Sequence, residues 1–388
     1  MQLTQRWNSV MMENYGTPAV ALISGSGAHA IGEDGTEYLD FVAGIAVSAL
    51  GHAHPELVDA IAAQAAVLGH TSNLAIHEPG VRLAERLVAL ADPSGTRGGR
   101  VFFCNSGAEA NEAAFKLSRL SGKRRVVAMQ GGFHGRTMGS LALTGQPAKR
   151  EPFLPLPPEV VFASYGDPLE LAIVMNDETA AVFVEPIQGE GGVVTAIPGY
   201  LSDVETIARR HDALFIVDEV QTGIGRTGMW FGFQHEDVTP DVITLAKGLA
   251  GGLPIGAVIA FGDAATAFTP GSHGSTFGGN PYSAAAAHAV LDVIERDRLL
   301  DRAATLFEVI AQRVSEFPHV TAVRGAGLMI GIVLDGEIAK EAEVGCREAG
   351  LLVNAPAANV IRIVPPLVIT DADVDRFLST LEAVLRAR

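Results

Sequence analysis

The sequence predicts an α/β protein: a large, mostly parallel sheet covered by helices, followed by a smaller α/β domain toward the C-terminal end. Three observations carry this. From about residue 56 to 260, short β-branched runs alternate with helical patterns, the signature of strands joined by crossover helices. After about residue 285 the texture changes to helices interrupted by isolated short strands. The length, 388 residues, exceeds the ~100–200 residues that one core serves, so more than one domain is expected.

In chain order, the strands predicted for the large sheet are RVFFC (100–104), RRVVAM (124–129), AAVFVEP (180–186), LFIVDE (214–219), DVITL (241–245) and IGAVIAF (255–261). The proline-rich stretch PFLPLPPEVV (152–161) reads as a rigid surface loop between two sheet elements. Then come one helix over 284–314, strands TAVRG (321–325) and LMIGIVL (328–334), a second helix, and strands LLVN (351–354) and VIRIV (360–364). The last helix opens on Thr370 and Asp373 at capping-box spacing, with Val374, Phe377, Leu378, Leu381, Val384 and Leu385 at helical period, so one face packs inward. Ligands of open α/β sheets sit beyond the carboxyl ends of the strands. The residues just after each run are therefore the ones to read for chemistry.

Composition narrows the function classes. Apolar residues make up 48% of the chain and charged ones 19%, a balance that suits a compact globular protein. A formal charge of −16 argues against nucleic acid, whose phosphates select dense Lys and Arg. The most apolar window, LAKGLAGGLPIGAVIAFG, contains Lys247, Pro254 and several glycines, which argues against a membrane span. The start, MQLTQRWNSVMMENY, lacks the pattern of a secretory leader. Two cysteines, Cys104 and Cys346, are too few for a disulfide framework and fit a reducing, cytoplasmic setting.

The most informative stretch is LFIVDEVQTGIGRTG with DVITLAKGLAGG, which puts Asp218 at the end of one apolar strand and Lys247 at the end of the next. An amine that forms Schiff bases needs a desolvated, immobile setting, and a pyridine cofactor carried by it needs an acid opposite the ring nitrogen. Asp218 and Lys247 supply both, and Lys247, once displaced by a substrate amine, is placed to carry a proton. Taken singly, each has a plainer reading, a solvated lysine and a turn cap. RVFFCNSGAEANEAAF runs from strand through a small-residue turn into an Ala-rich helix. The unpaired amides of Gly107 and Ala108 there suit a phosphate, and Ser106 with Glu109 also reads as an ordinary capping box. In RRVVAMQGGFHGRT, Phe133 suits stacking on a planar ring and Arg136 suits a carboxylate, beside the plainer readings of a core phenylalanine and a surface arginine.

Three motifs are set aside. GIGRTG, 223–228, satisfies the dinucleotide fingerprint, but the following MWFGFQHEDVTP has little helical period and no acidic strand end follows at the ribose spacing. His52 and His54 in GHAHP lack further ligands at zinc spacing, so no metal is expected. KRR, 123–125, is a solvated turn.

Together, YLDFVAGIAVSALGHAHPEL, NSGAEANEAAFK, GGFHGRT, VEPIQGEGGV, DEVQTGIGRTG, LAKGLAGGLPIGA, HGSTFGGNP and RGAGLMIGI resemble, nearly end to end, the class III aminotransferases. The resemblance implies the pyridoxal-phosphate transferase fold of type I, with residues 56–285 as the large cofactor-binding domain, 286–388 as the small domain, and 1–55 packing with the small domain. It implies pyridoxal 5'-phosphate as cofactor, Lys247 as its Schiff-base lysine and Asp218 as partner of the ring nitrogen. Phe133 and Val220 would cover the two ring faces and Gln221 would lie near the ring hydroxyl. Ser106, Gly107 and Ala108 would hold the phosphate, joined by Thr276 of a second subunit, so the enzyme is expected to be a homodimer.

For substrates, the resemblance implies that Arg136 grips the carboxylate remote from the reacting carbon, with Ser275 at a neighbouring contact. Arg362 matches the arginine for the α-carboxylate of glutamate and 2-oxoglutarate. Glu185 matches a glutamate that pairs with that arginine when the donor has no α-carboxylate near the reacting amine. Members that act on ornithine tend to carry tyrosine where Ile45 stands and tryptophan where His134 stands, so acylated donors such as N-acetylornithine are expected. Succinylornithine and N-succinyl-diaminopimelate are the alternatives.

Overall fold

The computed structural model describes residues 3–388. Residues 1 and 2, which open both the N-terminal segment and the stretch read as no secretory leader, lie outside the described residues. Three short strands come first, β1 (Leu22–Ser26), β2 (His29–Gly32) and β3 (Glu37–Asp40). β4 (Arg100–Cys104), β5 (Arg125–Met129), β6 (Val160–Ala163) and β7 (Thr179–Val184) follow, then a small hairpin of β8 (Ile187–Gln188) and β9 (Val194–Thr195). β10 (Leu214–Asp218), β11 (Val242–Leu245) and β12 (Gly256–Ala260) complete a seven-stranded sheet in the order β4-β12-β11-β10-β7-β5-β6.

β12 runs antiparallel to both its neighbours and the other pairs are parallel. The sheet is thus mostly parallel, as expected, and because an apolar run carries no mark of direction, which strand reverses is not written in the run itself. Every residue of β7, β11 and β12 is buried, as expected of strands covered on both faces. The edge strand β6 corrects the reading of 152–161 as loop throughout, because Val160 and Val161 pair with Val126 and Val127 of β5. The proline run stops just short of the positions that donate to the ladder.

β13 (Val320–Ala326), β14 (Met329–Leu334), β16 (Asn354–Ala357) and β17 (Val360–Ile363) form an antiparallel sheet, and between them β15 (Leu351–Leu352) joins β3 instead. The N-terminal strands and the C-terminal third thus share a sheet. The single helix expected over 284–314 is two, Pro281–Arg296 and Leu299–Val314. They break where Arg298 takes a left-handed conformation, φ 52° and ψ 43°, which an α-helix cannot continue through. The final helix, Asp371–Arg386, starts with Thr370 and Asp373 in a reciprocal capping box and buries Val374, Phe377, Leu378 and Leu381. Among the described residues no helix is long and apolar enough to cross a membrane.

Candidate active site

The carboxyl ends of β4, β5, β7, β10 and β11 converge on a cavity of about 430 Å³, a size that suits a small-molecule ligand. At one end the helix Gly107–Ser118 begins. Its first residues, Gly107 and Ala108, and its cap Ser106 line the cavity, and the first amides of a helix have no carbonyl within it to bind. Ser106 Oγ accepts from Glu109 N at 3.2 Å. The reciprocal arm of the expected capping box is displaced: Glu109 accepts from Asn105 N and Nδ2, at 2.9 and 2.8 Å, which leaves the cap residue's own amide out of the box. A methyl at Gly107 would crowd Val220, since a Cβ there would stand 2.7 Å from Val220 Cγ1.

Asp218 ends β10 and is 3% exposed. Its Oδ1 accepts from Val220 N at 2.9 Å, and its Oδ2 accepts from Asn111 Nδ2 and His134 Nδ1, each at 2.7 Å. A carboxylate only accepts, so His134 carries its proton on Nδ1. Asn111 is itself fixed by donating to the His134 carbonyl at 2.8 Å and by accepting from Thr244 Oγ1 at 2.9 Å. Lys247 follows β11 with φ 41°, a strained conformation for a residue with a side chain, of the kind that clusters at functional sites. Burial depresses its pKa from 10.5 to about 8; the Glu190, Asp218 and Glu185 carboxylates oppose this, while Arg362 reinforces it.

Phe133, Val220, Gln221, Arg136 and Glu185 line the same cavity as Lys247 and Asp218. The Arg136 guanidinium is 5.5 Å from the centre of the Phe133 ring and its side chain is exposed at the mouth. Ser275, Thr276 and Arg362 do not line it. Ser275 Oγ accepts from Asn105 Nδ2 and from Gly278 N, each at 3.0 Å, so it braces the turn that leads into the helix Gly107–Ser118. Thr276 is exposed, away from the cavity of its own chain.

Arg362 is 1% exposed and stands one layer back. It donates to Glu190 Oε1 at 2.6 Å, to Gln221 Oε1 at 3.2 Å and to Asn354 Oδ1 at 2.7 Å. This corrects the expected pairing of Arg362 with Glu185. VEPIQGEGG holds two glutamates, and the one on the arginine is Glu190, in the turn after β8. Glu185, directly after β7, turns inward and accepts from Phe133 N at 3.0 Å. Their charges diverge accordingly. Burial works to raise Glu190, and attraction and hydrogen bonding from Arg362 overcome it, leaving it below its ordinary value. Among the described residues Glu185 makes no ion pair, and burial, opposed by the nearby His134 and Lys247, raises it to about 7.

Three further residues, Asn111, His134 and Glu190, belong to the site without having been read as parts of its chemistry. The signals were faint: a polar residue on the apolar face of an Ala-rich helix, a histidine beside Phe133, and an acid framed by glycines. The motifs set aside have structural uses. Arg226 of GIGRTG is buried and donates to the Leu328 and Pro365 carbonyls at 3.0 and 2.5 Å, joining the sheet to the C-terminal third. His52 Nε2 bonds Asp40 Oδ2 at 3.0 Å.

Residues 10–385 match the family described as aminotransferase class-III. The chain is 56% identical over 385 residues to the acetylornithine aminotransferase of Mycobacterium tuberculosis, covering 99% of this chain and 96% of that protein. It is 55% identical over 387 residues to the acetylornithine aminotransferase of Streptomyces coelicolor, covering 99% and 95%. Among solved structures, the N-acetylornithine aminotransferase of Stenotrophomonas maltophilia is similar at a TM-score of 0.83 and 37% identity, over 97% of this chain and 98% of that one.

Proposed function

Because the chain belongs to the class-III aminotransferases, we propose that it moves the terminal amino group of N2-acetyl-L-ornithine to 2-oxoglutarate, with pyridoxal 5'-phosphate as carrier. The products are N-acetylglutamate 5-semialdehyde and L-glutamate. One observation carries the chemistry: a buried amine on a strained backbone, Lys247, shares a cavity with a carboxylate held by three donors, Asp218. The names of relatives at 54–56% identity support the donor.

The residues present fit that cofactor. Free helix amides at Gly107 and Ala108 with Ser106 suit a phosphate, Phe133 and Val220 bound the space between, and Asp218 is an acceptor for a protonated ring nitrogen. When bound, pyridoxal phosphate supplies an aldehyde for amine exchange and a ring that withdraws electrons from the substrate carbon. Lys247 holds the cofactor between turnovers and, once released, moves a proton at the substrate carbon, for which a pKa near 8 is well placed. Asp218 keeps the ring nitrogen protonated.

Arg136 grips the carboxylate of acetylornithine at the cavity mouth, where a planar fork binds best. Arg362 takes the α-carboxylate of glutamate or 2-oxoglutarate once Glu190 gives way. With acetylornithine the carbon bearing the amine has no carboxylate, so Glu190 stays on Arg362 and one pocket serves both donors. Thr276 reaches the phosphate of a second copy in a homodimer, in keeping with its exposure, and the two buried free cysteines suit a cytoplasmic enzyme.

A donor panel against 2-oxoglutarate tests this reading. N-acetylornithine should exceed ornithine and 4-aminobutyrate in kcat/KM by at least ~100-fold, the loss on removing a well-bound group. Preference for succinylornithine or succinyl-diaminopimelate would move the donor while keeping the reaction. Lys247→Ala should bind the cofactor without turning over, and near-normal transamination by it would overturn the assignment.

A further inference from the structure

Behind Asp218 lies a second buried acid and base that the amine transfer does not use. His134 is 2% exposed, with Nδ1 on Asp218 Oδ2 at 2.7 Å, and its Nε2 is buried without a hydrogen-bond partner. Backbone and ring are both held: the backbone amide donates to Thr144 Oγ1 at 3.0 Å, the carbonyl accepts from Asn111, and Phe183 meets the ring at 6.0 Å and 64°. A Cβ built on Gly132 would be 3.3 Å from His134 Nε2 and 3.3 Å from Glu185 Oε2. The free nitrogen and the carboxyl thus flank one small space beside Gly132. Glu185 is 5% exposed.

We propose that His134 and Glu185 are positioning residues that act on Asp218 as a unit. His134 is an imidazolium with Nδ1–H on Asp218 and Nε2–H facing Glu185, and the charge on Glu185 sets how firmly His134 keeps its second proton. An imidazolium on Asp218 keeps that carboxylate ionised, so Asp218 does not take back the proton it holds on the ring nitrogen. No proton passes to the substrate; only the occupancy of three buried sites changes. The charged or titratable groups facing the pair are Asp218 at the end of β10, Lys247 after β11 and Tyr165 after β6. Burial acts to lower His134, and the hydrogen bond and charge of Asp218, with the charge of Glu185, outweigh it and leave His134 raised.

The inference rests on Asp218 facing the ring nitrogen, and its test is read in the protein without cofactor. Full-length chain labelled with 15N-histidine is titrated across about pH 5 to 9, a window spanning the ordinary histidine midpoint, and the His134 signals are identified by their loss in His134→Asn. In the wild type His134 should stay charged beyond the ordinary histidine midpoint. Glu185→Gln keeps an acceptor for Phe133 N and should lower the His134 midpoint by about one pH unit, a tenfold change in proton affinity. An unmoved midpoint in a folded Glu185→Gln chain overturns the proposal.

With pyridoxal phosphate added, the visible band should titrate with a midpoint that Glu185→Gln and His134→Asn each shift, the double variant adding little to either. Additive shifts would likewise overturn the coupling, whereas a purely structural role would leave the midpoint in place. If no visible band forms in the wild type, the cofactor reading fails and the histidine titration still decides this one.

Discussion

Lys247 holds its place against two costs, a left-handed backbone at φ 41° and a buried amine. Strain of that kind persists only where the surroundings over-determine it. On the proposed function its use is reactivity, because the neutral amine attacks an aldehyde and the protonated one does not. A midpoint lowered from 10.5 to about 8 means the neutral fraction grows as pH rises through about 8 and saturates above. Capture of pyridoxal phosphate by cofactor-free protein, followed by stopped-flow absorbance, should accelerate through about pH 8 and level off about one unit above it. A rate still climbing at about pH 10 would be that of an exposed lysine. The same scale decides the two glutamates. Glu190→Gln strips Arg362 of its charge partner, so the acetylornithine half-reaction should slow by roughly tenfold or more, the ~1.5–3 kcal/mol of a charged hydrogen bond. The glutamate half-reaction, which brings its own carboxylate, should hold or gain. Glu185→Gln, measured at one pH in the same single-turnover assay, should leave the ratio of the two halves unchanged.

The turn from β4 into the helix Gly107–Ser118 joins Ser106, the first helix amides and Val220 of the next layer into one cradle. Adding a methyl at Gly107 drives a Cβ to 2.7 and 2.8 Å from the two Val220 methyls, an overpacking that costs ~1–3 kcal/mol. Gly107→Ala should bind pyridoxal phosphate about tenfold to a hundredfold more weakly by equilibrium dialysis and melt earlier, and Val220→Ala in the same chain should recover part of both. No recovery would mean that Val220 is not what the methyl meets. Elements of this kind were readable because their parts are close in sequence: strand, turn and helix start fall within 100–118, and Asp218 and Lys247 each end an apolar run. What sequence reading missed is long-range or directionless. Arg362 and Glu190 are 172 residues apart, and His134 and Asp218 are 84 apart, so no local pattern joins them. With two glutamates in one motif, only the fold chooses between Glu185 and Glu190. The reversed β12 and the break at Arg298 escaped for the same reason, since apolar period records burial and neither direction nor backbone hand.

At the scale of the whole molecule, a charge of −16 favours solubility, yet one region is strongly apolar at its surface. Val67, Leu74 and Ile76 are 81%, 94% and 91% exposed, and Phe277 is 62% exposed. Leu74, Ile76 and Phe277 are drawn together: the His70 ring lies 5.1 Å from Phe277, and Asn73 Nδ2, next to Leu74, donates to the Ser275 carbonyl at 3.2 Å. On the homodimer proposed above, large apolar side chains massed this way are where the second copy would seat. Phe277 directly follows Thr276, so a second copy seated here would be covered by the segment proposed to complete its phosphate site. Dimerisation and cofactor retention should then fail together. A Leu74→Asp, Ile76→Asp double variant should run at half the wild-type mass by light scattering and hold pyridoxal phosphate at least ~10-fold more weakly, the order of one lost hydrogen bond to an anion. Thr276→Ala should weaken the cofactor alike while remaining dimeric, which separates the loss of the contact from the loss of the partner. A wild-type chain that is monomeric and fully active at assay concentrations would show that each cavity is complete within its own chain.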